Sequence, residues 1–117
     1  MYMKLLHEQI QYIEFLSQNL ERIKKFYTEA FGWTFTDYGP SYTAFSGTHI
    51  DGGFTEGTPV HGSVLVILYS DKLEETKKSV ERAGGIISKD IFSFPGGRRF
   101  HFTDPDGNEL AVWSEEA

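Results

Sequence analysis

The chain repeats itself, and the repeat limits its possible folds more than any other feature. Leu20-Glu21-Arg22-Ile23-Lys24-Lys25 is matched 53 residues later by Leu73-Glu74-Glu75-Thr76-Lys77-Lys78, and at the same offset Ala30 meets Ala83 and Gly32 meets Gly85. Six of the thirteen positions from Leu20 to Gly32 are identical in the two copies. An internal repeat of this length marks a supersecondary unit used twice. Each copy opens on a strand-like run, Ile10–Ser17 or Ser63–Ser70. An amphipathic helix follows, with Asn19 and Asp71 as expected N-caps. Gly32 and Gly84-Gly85 supply helix-ending glycines.

Three short strands are expected after each helix. In the first copy these are Trp33–Tyr38, Tyr42–Ser46 and Ile50–Phe54; in the second, Ile86–Phe92, Arg98–Thr103 and Glu109–Ser114. Asp104-Pro105-Asp106-Gly107 reads as a tight hairpin turn, with Pro presetting φ and Gly free to take positive φ. The predicted architecture is α+β, a single domain over 1–117 made of two tandem βαβββ modules. Module one covers about 8–55, the linker about 55–62, and module two about 63–116.

Ten Phe, six Tyr and two Trp allow a substantial core in only 117 residues. The absence of cysteine excludes disulfides, thiolate ligands and Cys nucleophiles. A net charge of −6 argues against nucleic acid, which requires a basic footprint. With no long apolar run, no membrane partner is expected and the chain is read as cytoplasmic.

Glu21-Arg22, Phe26-Tyr27 and Phe31-Gly32-Trp33, together with Phe100-His101-Phe102-Thr103-Asp104-Pro105-Asp106-Gly107-Asn108-Glu109-Leu110, resemble the two modules of the vicinal oxygen chelate superfamily. That superfamily includes glyoxalase I, extradiol dioxygenases and fosfomycin and bleomycin resistance proteins. The resemblance implies sheets curled around a cavity with helices outside, and a homodimer. It also implies metal ligands on the first and fourth strands of each module, typically two His (or His and Gln) with two Glu.

Placed on this sequence, the first such slot falls on Tyr12, fourteen residues before Phe26. The repeat offset carries it to Leu65, and the slot on the last strand, seven residues after Asp104, is Ala111. The remaining slot lies within Gly52–Phe54, with Asp51 at its edge the one residue there able to coordinate. Leu and Ala cannot bind a metal, and catalytic sites need about three protein ligands. No metal and no cofactor are therefore expected, and neither is a standard glyoxalase I or extradiol dioxygenase activity.

Strand alternation gives the expected cavity face: Tyr12 and Glu14 on strand one, Leu65, Ile67 and Tyr69 on strand five, and Glu109, Ala111 and Trp113 on the last strand. Such a lining is aromatic and apolar with isolated acids, suited to a flat or partly cationic organic molecule. Glu14 is a candidate catalytic acid or the partner of Arg98 or Arg99, because a carboxylate in an apolar strand is costly alone. His101, on a central strand of module two, is the candidate general base. His7, His49 and His61 read as surface or turn residues, and Gly96-Gly97 lacks the context of a phosphate loop. The leading expectation is a metal-free binder of a small, partly aromatic molecule. The alternative is an enzyme with a displaced metal set (Glu14, His101, Glu109) or acid–base chemistry from Glu14 and His101.

Overall fold

The computed structural model describes residues 5–115. The elements run β1 (Tyr12–Ser17), α1 (Leu20–Phe31), β2 (Thr34–Asp37), β3 (Tyr42–Ser46), β4 (Asp51–Glu56), β5 (Val66–Tyr69), α2 (Leu73–Ala83), β6 (Ile86–Phe94), β7 (Gly97–Thr103) and β8 (Glu109–Glu115). This is βαβββ twice. The sheets are ordered β1-β4-β3-β2 and β5-β8-β7-β6, with the first and last strands of each module parallel neighbours.

Helix α1 forms where expected: the Asn19 side chain accepts from the Arg22 amide at 3.0 Å, and Gly32 closes it with φ 78°. Helix α2 departs by one residue, since its N-cap is Lys72 and not Asp71. The repeat offset itself pairs Asn19 with Lys72. Ser70 Oγ accepts from the Lys72 amide at 3.0 Å, as Ser17 Oγ accepts from the Asn19 amide at 3.1 Å, so the Ser is the shared device. The strands β1 and β5 start later than their apolar runs. Both are edge strands, and their neighbours begin pairing only at Asp51 and Leu110, which leaves earlier residues nothing to bond.

One core joins both modules. Ile23, Phe26 and Tyr27 of α1 and Leu73 and Val80 of α2 meet Phe54 of the first sheet and Phe100, Phe102, Leu110 and Val112 of the second. Tyr27 stacks on Trp33 at 4.7 Å and Phe26 approaches Phe102 at 6.1 Å. The helices thus pack side by side, each covering one face of its own sheet, and the opposite faces carry the site.

The β7–β8 turn fastens the modules together. Asp106, with no exposed side-chain surface, accepts from Ser17 Oγ at 2.6 Å, the Gln18 amide at 2.9 Å and Arg22 Nη2 at 3.0 Å. Tyr27 donates its hydroxyl to the buried Asp104 carboxylate at 2.8 Å, and Asn108 Nδ2 donates to the Leu16 carbonyl at 3.3 Å. The motif residues of both modules therefore meet each other. They are a structural clamp, and the chemistry must be sought elsewhere.

Candidate ligand-binding site

Core packing and register define two faces on the second sheet. Leu68, Val66, Leu110, Val112, Phe100 and Phe102 pack toward the helices, so Ile67, Tyr69, Arg99, His101, Glu109, Ala111 and Trp113 share the open face of the second sheet. Registers with β7 place Lys89, Phe92 and Phe94 on that face as well. In the first sheet Phe15 and Phe54 stack toward the helices, leaving Tyr12, Glu14, Tyr42 and Gly53 on the open face.

The predicted site residues fall into two groups. Tyr12, Glu14 and Glu109 line a groove of about 450 Å³ between the modules, closed on one side by linker residues Pro59–Val64. Ile67 and Trp113 line a separate depression of about 290 Å³ together with Phe94 and Arg99. Ala111 has no exposed surface, and Leu65 lies half-buried just before β5.

Glu14 does not meet an arginine. Arg98 turns to helix α2, where Nη1 donates to Glu74 at 2.7 Å. Glu14 instead adjoins Tyr42, whose hydroxyl hydrogen-bonds that of Tyr12. Burial, the Tyr12 hydrogen bond and the Glu14 charge together push the Tyr42 phenol well above its ordinary range.

His101 is buried, with 4% of its surface exposed. Its Nδ1 lies 3.1 Å from Glu109 Oε2, and its Nε2 has no hydrogen-bond partner among the described residues. The histidine hydrogen bond holds the Glu109 carboxyl below its ordinary value. Ser88 Oγ donates to the same carboxylate at 3.3 Å, and His61 approaches it at 3.8 Å while contacting the Gly107 carbonyl. Glu14 and His101 thus belong to different sheets, each with its own partners.

Phe92, Phe94 and Tyr42 were not anticipated as site residues, and Arg99 only as a possible partner of Glu14. Parity along β7 could have found Arg99, which lies two residues before His101 and so on the same face. Tyr42 gave no such signal, because its place depends on a glycine in the neighbouring strand.

The sheet register supplies the slot that spacing left open. Glu14 pairs with Gly53, and Ile67, its equivalent in the repeat, pairs with Ala111. The fourth position is therefore Gly53, where any Cβ would run into the Tyr42 hydroxyl and the Thr43 carbonyl. A phenol, an isobutyl group, a hydrogen and a methyl group occupy the four places. These do not fit a divalent ion. Among the described residues no three His, Cys, Asp or Glu are grouped so that they could hold a metal ion, so the displaced set Glu14, His101 and Glu109 is not assembled.

Residues 9–112 match the model of the Glyoxalase/Bleomycin resistance protein/Dioxygenase superfamily. The chain belongs to that superfamily. Its fold is shared by a glyoxalase-related enzyme from Fulvimarina pelagi (TM-score 0.80, 21% identity, 92% of this chain and 88% of that one). It is shared by a glyoxalase/bleomycin resistance protein/dioxygenase family enzyme from Burkholderia phytofirmans PsJN (TM-score 0.81, 13% identity, 91% and 98%). It is also shared by TnmS3, an antibiotic binding protein from Streptomyces sp. CB03234 (TM-score 0.72, 19% identity, 98% and 100%). A search of curated proteins finds no match. Among the described residues of this superfamily member, no helix is long and apolar enough to cross a membrane.

Proposed function

We propose that this superfamily member binds a small aromatic molecule without a metal. The observation that carries this reading is the open face of the second sheet, where Trp113 meets Tyr69 and Phe94 and lines a depression with Phe94 and Ile67. Rings presented on a rigid sheet offer stacking area at little conformational cost. The donor-free metal positions support the metal-free part, and the fold shared with an antibiotic binding protein is consistent with it. Two copies associate as a homodimer in this reading, because Tyr12, Ile67 and Tyr69 expose large apolar surface at 42%, 45% and 52%. The lack of cysteine suits a reducing compartment such as the cytoplasm.

Calorimetric titration with fused-ring aromatics is expected to give saturable binding that weakens when Trp113→Ala removes one wall. Stoichiometric, micromolar or tighter binding of zinc, nickel, iron or manganese by dialysed protein would sink the metal-free reading. Sedimentation at two concentrations gives the mass; a monomer at both removes the dimer.

A second reading, acid–base catalysis, rests on the His101–Glu109 pair. Glu109 holds Nδ1, which would leave the unpartnered Nε2 as the proton acceptor. Turnover lost in His101→Gln but retained in Glu14→Gln supports it; activity unaffected by His101→Gln removes it.

A further inference from the structure

Arg99 lies on the open face of the second sheet, against two aromatic rings. Its guanidinium carbon lies 5.4 Å from the Phe92 ring centre and 5.7 Å from that of Phe94. Its Nε is buried and has no hydrogen-bond partner among the described residues. Among the described residues it has no acidic partner, although the chain carries 17 acids against 11 basic residues. The adjacent Arg98 takes Glu74, and Lys24 and Lys77 pair with Asp37 and Asp90.

A guanidinium has five donors and no acceptor, so an unfilled one on an apolar face is a recognition group waiting for an oxyanion. Two rings flank the guanidinium, and Arg99 lines the depression formed with Ile67, Phe94 and Trp113, where a ligand would meet the guanidinium edge. A planar carboxylate suits that edge, because its two oxygens match the fork of the guanidinium. The surroundings also select the rest of the ligand. Ile67, Phe94 and Trp113 offer apolar and aromatic surface and no second cation. A multiply charged phosphate ordinarily gathers several donors, whereas a single flanked arginine fits one negative charge. Lys89 shares the face from β6 but pairs in register with His101, toward the Glu109 end.

We infer that Arg99 is the anion-recognising residue of the site, and that its ligand is a flat arene bearing a carboxylate or another singly charged oxyanion. This reverses the polarity expected from the sequence, in which carboxylates on the protein suggested a partly cationic ligand. It rests on the proposed aromatic-binding function and names the chemistry of its ligand. The arene stacks on Phe94 and Trp113 while its oxyanion takes the guanidinium edge.

The test is calorimetric titration of the full chain with 2-naphthoate and its neutral counterpart 2-naphthamide. The acid is expected to bind about tenfold more tightly than the amide at low salt. Arg99→Gln should lower the acid to the level of the amide and leave the amide within about twofold of its wild-type affinity. Arg99→Lys should retain only part of the preference, since it keeps charge but loses the planar fork. Should Arg99→Gln fail to fold, the wild-type comparison still decides, because 0.5 M salt is expected to erode the preference for the acid alone. Equal binding of acid and amide, or an unchanged preference in folded Arg99→Gln, overturns the assignment while leaving the aromatic site intact. Binding of neither probe overturns both.

Discussion

The junction between the modules occurs twice in this molecule, and the two versions differ. Where the β7–β8 turn meets the start of α1, Asp106 fills the gap and satisfies Ser17, Gln18 and Arg22. The corresponding β3–β4 turn, Gly47 to Ile50, faces β5 across an open groove. An apolar groove of about 400 Å³ is left there, lined by Ile13, Phe15, Trp33, Phe45, Val66 and Leu68. The residue in α2 equivalent to Arg22 is Glu75, which cannot pair with a carboxylate. One copy of the unit thus became a clamp and the other stayed open. Duplication supplies two equivalent positions; side chains decide which is closed.

The clamp should give the largest effect when broken. Asp106→Ala leaves a buried hydroxyl, an amide and a guanidinium without their acceptor, and is expected to cost about 2–4 kcal/mol in urea unfolding. The matching change on the open side, Glu75→Ala, should stay within about 0.5 kcal/mol. Similar losses for both would mean that the junctions are energetically alike.

The paired strands permit a sharper comparison at Gly53 and Ala111, which occupy equivalent register positions. Gly53→Ala drives a methyl group into Tyr42 and the Thr43 carbonyl and should cost about 1–3 kcal/mol. Ala111→Gly should cost only about 0.5–1 kcal/mol, from backbone freedom and a lost methyl. Thermal unfolding of the two variants measures the difference. Combining Gly53→Ala with Tyr42→Phe should recover part of the loss, because the hydroxyl is the nearest of the three obstructing atoms.

The helix starts offer a third, smaller contrast. Asn19→Ala removes a side-chain cap and should destabilise by about 1 kcal/mol. Lys72 makes no side-chain cap hydrogen bond, so Lys72→Asn should instead stabilise by about 0.5–1 kcal/mol. A loss on Lys72→Asn would show that Ser70 already does all the capping.

The least effect is expected at Glu109. Its folded pKa lies below the ordinary 4.5 because His101 hydrogen-bonds the carboxylate, with Ser88 and His61 adding to the effect. Its contribution is therefore present above pH 4.5 and lost as pH falls through the lower folded value. Wild-type protein should lose less than about 1 kcal/mol by this route, and Glu109→Gln should lack that part of the acid dependence. Urea midpoints at pH 7 and pH 3 compare the two.

Much of this was legible from residue order. The repeat, its 53-residue offset and the period-2 strands fixed the element sequence and the strand faces, because helix and strand periodicity are local properties. The offset even paired Asn19 with Lys72, although Asp71 looked the better cap by residue type. What could not be read is where open faces acquire unpaired charge. Arg98 and Arg99 are adjacent and alike in the sequence, yet one reaches Glu74 across to α2 and the other lies among Phe92, Phe94 and Trp113. Likewise the Asp-Pro-Asp-Gly-Asn turn announced a hairpin but not its grip on α1, nearly ninety residues earlier.

By itself the sequence determined two βαβββ units, the faces of their strands and the lack of ligating side chains at Tyr12, Leu65 and Ala111. Only the tertiary structure decided that Gly53 completes that set, that the motif residues form a clamp, and that Arg99, without an acidic partner among the described residues, lies on an aromatic face. The reason is physical: periodicity and side-chain type are set within a few residues, whereas register, partner choice and desolvation are set between strands and helices far apart in the chain.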